Sequence, residues 1–116
     1  MADTVRRLQA YEAAGADVLY APGLCNLNDV REITRAVTRP VNVVTGWLDP
    51  DITLAQLSEA GAKRISVGGA LSRLALATLV KAARTMREHG SFPWMREMIG
   101  ITELRKMFNC ESVHKP

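Results

Sequence analysis

The chain has 116 residues, of which 47% are hydrophobic and 23% charged, with a formal net charge of +3. This is the composition of one small globular domain rather than of a disordered segment. Lys and Arg alternate with Glu and Asp without forming a basic run, and aromatics make up only 5%, which argues against a nucleic-acid groove. Cys25 and Cys110 do not make a secreted disulfide framework. No stretch is apolar enough for a membrane span, and the first residues read as an amphipathic helix rather than a signal peptide. The expected compartment is therefore the reducing cytoplasm.

The first helix is expected to start near Asp3 or Thr4, to carry Val5 and Leu8 inward, and to stop at Gly15. Asp17–Ala21 reads as a short strand ended by Pro22-Gly23. Asn26 or Asn28 caps a second helix with apolar positions Val30, Ile33 and Val37. Pro40 leads into Val41–Val44, a mostly β-branched run that reads as a strand buried on both faces. A loop follows over Gly46–Pro50. Asp51 or Thr53, with Asp51 preferred, then caps a helix bearing Leu54 and Leu57, and Gly61 closes it.

Ile65–Val67 is the third strand and runs into Gly68-Gly69. A long helix is expected from about Ala70 to His89, with Leu71, Leu74, Leu76, Leu79, Val80 and Met86 spread over most of its circumference. A helix apolar nearly all round calls for burial on more than one side. Gly90 stops it. Two short helical pieces, Pro93–Ile99 and Thr102–Phe108, are expected in the tail, with Glu111–Pro116 frayed. The domain reading is a partial barrel over residues 1–90 and a helical tail over 91–116.

The helix-end grammar occurs twice, as Ala14-Gly15-Ala16-Asp17 and Ala60-Gly61-Ala62-Lys63. With the strand at Val41–Val44 between them, this is two α/β units of about 23 residues each. Short connections and alternating elements predict parallel pairing with right-handed crossovers. Three strands leave two bare sheet edges. The chain is thus expected either to pair with another copy or to be part of a larger barrel. In such folds the functional atoms sit at the carboxyl ends of the strands, here the turns Pro22-Gly23, Thr45-Gly46 and Gly68-Gly69.

Residues 5–108, through the runs LQAYEAAGADVLYAPGL, VTRPVNVVTG, AGAKRISVGGALSRLAL and TELRKMFN, resemble the C-terminal part of the isocitrate lyase/phosphoenolpyruvate mutase superfamily. The resemblance is to the carboxyphosphonoenolpyruvate phosphonomutase-like and 2-methylisocitrate lyase-like branch. It implies an α/β fold, a partial (β/α)8 TIM barrel of the last three strands, with a long helix exchanged between subunits of an oligomer. It also implies chemistry on a 2-oxo acid or its enolate, with Mg²⁺ assisting C–C or P–C bond cleavage or formation. The family's acidic metal-binding stretch, its Lys-x-Cys-Gly loop and its Ala-Arg-Thr-Asp run are not in this sequence. The resemblance therefore implies a truncated chain that binds no Mg²⁺ alone and is inactive by itself. Its partner would be another copy or a companion barrel half. A non-catalytic oligomerisation module derived from such an enzyme is the alternative.

The catalytic residues are not assigned by the sequence. By resemblance, Gly23 stands where some lyase relatives carry a substrate-touching Glu; its plainer reading is a strand-ending turn. Asn42 and Thr45 stand where relatives hold the substrate carboxylate. A strand Asn can instead be paired to neighbouring backbone. Gly68 and Gly69 precede a helix whose N–H groups can bind an anion, or else they allow close strand–helix packing. No metal site is read: His89 and His114 have no ligand partners at zinc spacing. Asp51 and Glu59 read as cap and solvated helix face. Trp94, Met95, Met98, Met107 and Phe108 read as packing against a partner subunit.

Overall fold

A computed structural model describes residues 1–108; Cys110, His114 and the expected fraying of Glu111–Pro116 lie outside the described residues. The elements are α1 (Ala2–Ala13), β1 (Leu19–Tyr20), α2 (Leu27–Ala36), β2 (Val41–Val44), a 3-10 turn (Thr45–Trp47), α3 (Leu54–Glu59), β3 (Arg64–Ser66), α4 (Ala70–His89), a second 3-10 segment (Pro93–Glu97) and α5 (Ile101–Phe108). They form two compact units, Met1–Leu74 and the residues from Ala75 onward.

In the first unit the sheet order is β1-β2-β3 and both pairings are parallel, as the short crossovers require. Leu19 pairs with Val41, Asn42 with Arg64, and Val44 with Ser66. Alternation along the strands sorts the two faces. Leu19, Val41 and Val43 join Leu8, Val30, Ile33 and Leu57 in one core beneath the helices, with Ile65 packed against it. Tyr20, Asn42, Val44, Arg64 and Ser66 fall on the opposite, open face.

Two expectations about the strands are corrected. The first strand is confined to Leu19–Tyr20, and the third begins one residue early, at Arg64, and ends at Ser66. Only β2 is buried throughout; Tyr20 and Arg64 are exposed. The reason is position: β2 has a neighbour on each side, whereas β1 and β3 each have one.

The helix boundaries follow from local chemistry. Asn26, not Asn28, caps α2 by accepting from Asp29 N–H at 2.9 Å. Thr53 caps α3, correcting the preference for Asp51. Its hydroxyl accepts from Gln56 N–H while the Gln56 side chain accepts from Thr53 N–H, a capping box. Asp51 instead donates its N–H to Asp49 Oδ1.

The two Ala-Gly-Ala sequences make the same helix terminus. Gly15 N–H bonds to Glu12 O and Ala16 N–H to Tyr11 O; Gly61 N–H bonds to Ser58 O and Ala62 N–H to Leu57 O. These are Schellman motifs, and both glycines take φ of +97°. At the α1 end, Glu12 Oε1 also accepts from Thr38 N–H, Thr38 Oγ1 and Arg39 N–H, tying α1 to the turn that enters β2. The Thr38 hydroxyl, more than the two amides, holds the Glu12 carboxyl below its usual range.

In the second unit, Phe92 and Trp94 meet edge to face at 6.4 Å. Pro93–Glu97 is a 3-10 segment rather than the start of a longer helical piece, and α5 begins at Ile101.

A methyl added at Gly61 would lie 2.7 Å from Thr34 Oγ1, whereas nothing lies within 4 Å of one at Gly15. Both Gly→Ala changes force an L-residue into the left-handed region, at about 1–2 kcal/mol. Gly61→Ala is therefore expected to lower the urea midpoint further than Gly15→Ala, and equal losses would contradict this packing. Because folding lowers the Glu12 pKa, its stabilisation is present at neutral pH and is lost as the pH falls through and below the ordinary glutamate range. Glu12→Gln is expected to flatten that part of the stability–pH curve; a curve as steep as that of the unaltered chain would show that Glu12 contributes nothing.

Candidate functional site

The carboxyl ends of β2 and β3 open into a cavity of about 240 Å³. Tyr20, Val44 and Trp47 line it, together with Gly68, Gly69, Ala70 and Arg73 from the turn into α4. Gly68 takes φ of +53°, which lets the chain turn sharply from β3 into α4. A Cβ there would also stand 3.4 Å from Val44 Cγ2. The turn thus sets the start of a 20-residue helix beside the cavity, with Ala70 N–H bonded to Val67 O at 3.1 Å.

The expected site residues distribute unevenly. Gly68 and Gly69 line the cavity. Thr45 follows Val44 directly, is half-buried and begins the 3-10 turn whose Gly46 and Trp47 line the cavity. Asn42 lies one step back along β2, on the same face as Val44, and is 6% exposed. Gly23 sits in an exposed turn beyond β1 with φ of +87° and does not line the cavity.

Asn42 is paired to side chains rather than to neighbouring backbone. Its Oδ1 accepts from Arg64 Nη1 at 2.8 Å, and its Nδ2 donates to Ser66 Oγ at 3.2 Å. Parallel pairing makes this possible, because it sets Arg64 opposite Asn42 and Ser66 one step further up the same face. Arg64, Ser66 and Arg73 were not singled out from the sequence. The strand was expected to begin at Ile65, which left Arg64 in the preceding loop. Counting alternate residues from Ser66 back to Arg64 would have placed both on the open face. Arg73 follows Gly69 by one helical turn, a spacing that could have put it at the same helix mouth.

A second cleft, of about 340 Å³, lies beside α1 and β1 and includes Thr4, Arg7, Tyr11 and Tyr20. Arg7 Nη2 donates to the Tyr11 hydroxyl there at 3.4 Å. The cleft lies between a helix and the end of an edge strand and shares Tyr20 with the strand-end cavity. Among the described residues, no three of His, Cys, Asp or Glu converge to hold a metal ion. No helix among them is long and apolar enough to cross a membrane.

Three parallel strands, helices on one face and a cavity at the carboxyl ends define an α/β fold that matches part of a TIM-barrel-like enzyme. A sequence profile described as phosphoenolpyruvate phosphomutase matches residues 1–87, and the chain belongs to that family, within the phosphoenolpyruvate mutase/isocitrate lyase superfamily. A solved structure from Burkholderia cenocepacia J2315, described as a lyase/mutase, is 44% identical with a TM-score of 0.85, over 91% of this chain and 38% of that one. The structure of 2,3-dimethylmalate lyase is 25% identical with a TM-score of 0.67, over 92% of this chain and 42% of that one. The 2-methylisocitrate lyase of Aeropyrum pernix is 33% identical over 89 residues, 75% of this chain and 29% of that protein. The chain spans about a third of the length of the curated relatives it matches.

Replacing Asn42 by Leu removes the acceptor for Arg64 and the donor to Ser66 at a buried position. The expected loss is about 1–3 kcal/mol of folding stability in urea unfolding. A change within about 0.5 kcal/mol, the size typical of surface substitutions, would mean that the Arg64–Asn42–Ser66 connection contributes nothing to the fold.

Proposed function

We propose that this chain furnishes the strand-end mouth of a site for a 2-oxo acid or its enolate, in an enzyme that breaks or makes a C–C or P–C bond beside that carbonyl. The observation that carries this reading is the convergence of Gly68 and Gly69 at the start of α4 with Arg73 around one cavity. All three favour negative charge. Helix N-terminal N–H groups can donate to a carboxylate, and the guanidinium offers a charge-assisted bond. The two glycines allow the substrate to approach the backbone closely. Thr45 adds a hydroxyl at the end of β2, and Asn42 supports the face beneath. Gly23 holds the turn after β1 and takes no part in binding.

Donors fixed by the fold before substrate arrives favour the charge that develops on an enolate oxygen, because they need not reorganise as it forms. Membership of the family supports the reaction class, and it does not favour a purely structural oligomerisation module. The chain's role is to bind and orient. A Mg²⁺ ion would require carboxylates beyond those that the described residues bring together, so no step assigned to this chain runs through the metal. We propose further that the chain alone is inactive toward 2-oxo acids.

We also propose that α4 is covered by another polypeptide, as an exchanged helix in a homo-oligomer or against a companion part of the barrel. In support, α4 has no buried residue, and Leu71, Leu76 and Leu79 are each more than half exposed. Exposed apolar surface of that extent favours association.

The test uses oxalate, a planar dianion that resembles the enolate of a 2-oxo acid. Saturating oxalate is expected to raise the thermal midpoint of the purified chain, with about 2.7 kcal/mol of stabilisation at a hundredfold excess over Kd. Oxaloacetate with Mg²⁺ is expected to show no turnover. An unmoved midpoint would contradict the binding reading, and turnover by the chain alone would contradict its inactivity.

A further inference from the structure

The open face of the sheet carries a cation whose fork is only partly used. Arg64 opens β3 in register with Asn42, and one of its five N–H donors is given to Asn42 Oδ1 at 2.8 Å. Asn42 is held from its other end by Ser66 Oγ at 3.2 Å, and Ser66 Oγ lies 3.5 Å from Val43 O. The direction of the amide is thereby fixed: Oδ1 faces the guanidinium and Nδ2 faces the hydroxyl. Asn42 is buried, so this orientation is not exchanged with water.

Arg64 itself is exposed. The ion pair formed among the described residues is Arg6 with Asp3, on α1, and none involves Arg64. The amide is neutral and brings no counter-charge, and among the described residues the other four donors of the guanidinium have no partner. Covering this face without a counter-charge would carry the desolvation penalty of an unpaired ion. Ser66 pairs with Val44, which lines the strand-end cavity, and Arg64 stands two residues before Ser66 on the same face.

We propose that Arg64 is an anion-binding residue that takes a carboxylate of a small ligand on the open face of the sheet, with Asn42 as its positioning residue. The proposal rests on the strand-end reading above and deepens it by adding a second donor locus, separate from the Gly68-Gly69 mouth. The two loci lie four residues apart along the chain, on the order of 13 Å at the rise of a strand, so each takes its own carboxylate. The planar fork suits two parallel N–H···O bonds to one carboxylate, a geometry that an ammonium cannot reproduce.

The experiment is an oxalate titration of the full ¹⁵N-labelled chain at constant ionic strength, following the Arg64 Nε–Hε resonance together with the Gly68 and Gly69 amides. The Arg64 resonance is expected to shift and saturate. Arg64→Gln is expected to weaken oxalate binding about tenfold or more, the loss of a charge-assisted bond. Arg64→Lys, which keeps the charge but not the fork, should fall between. Arg64 is exposed, so both variants are expected to fold; if Arg64→Gln does not, the wild-type Hε shift and the Arg64→Lys affinity decide.

Glycine shifts with an unmoved Arg64 and an unchanged Arg64→Gln affinity would overturn this proposal and leave the strand-end reading standing. An Arg64 shift with silent glycines would uphold Arg64 and overturn the mouth. Silence at both would overturn both, and the charge on this face would then be matched by an acidic side chain of another polypeptide.

Discussion

Everything in the first unit depends on β2 being the middle strand. It is hydrogen-bonded on both edges, and all four of its residues are buried. Strict alternation then sends Val41 and Val43 under the helices and Asn42 and Val44 to the open face. A slip of one residue would put Asn42 in the apolar core and Val43 on the open face, so register is tightly specified. The same register sets Arg64 beside Asn42 and Ser66 beside Val44. One strand therefore supplies core residues, part of the cavity lining and the polar connection on the same face.

The helix termini do the complementary work. Each Ala-Gly-Ala sequence ends a helix in a Schellman motif, and α3 so ended leads into β3. Glu12 links the end of α1 to the approach to β2 through three hydrogen bonds. At the far end of β3, Gly68 turns the chain again so that α4 begins over the sheet. The site is thus built where backbone conformation, rather than any single reactive side chain, decides what is presented. This is the usual division of labour in α/β folds, in which loops at the strand ends carry the function.

Much of this was legible in the sequence for identifiable reasons. The β-branched run at Val41–Val44 and the long periodic stretch at Ala70–His89 gave their elements with the observed boundaries. Gly15 and Gly61 marked helix ends because only glycine takes positive φ cheaply. The edge strands were read less well. Short segments with one neighbour carry a weak hydrophobic signal, so β1 was read too long and β3 one residue late. The choice of Thr53 over Asp51 as a cap turned on Gln56 three residues later, the pairing partner of the capping box. Gly68 and Gly69 were legible as a helix mouth. The roles of Arg64 and Arg73 were not, because they depend on which residues stand opposite across strands and one turn along a helix. The periodicity of α4 called for cover on more than one side, and that cover is not seen among the described residues, where Leu71, Leu76 and Leu79 are exposed.

The central claim is that the space above Gly68 and Gly69 receives the ligand. The most direct measurement is a crystal structure of the chain grown with oxalate. The account predicts oxalate in the strand-end cavity, within hydrogen-bonding distance of the Gly68–Gly69 backbone. Oxalate found instead in the cleft of Arg7 and Tyr11, or no oxalate on the sheet at saturating concentration, would contradict it.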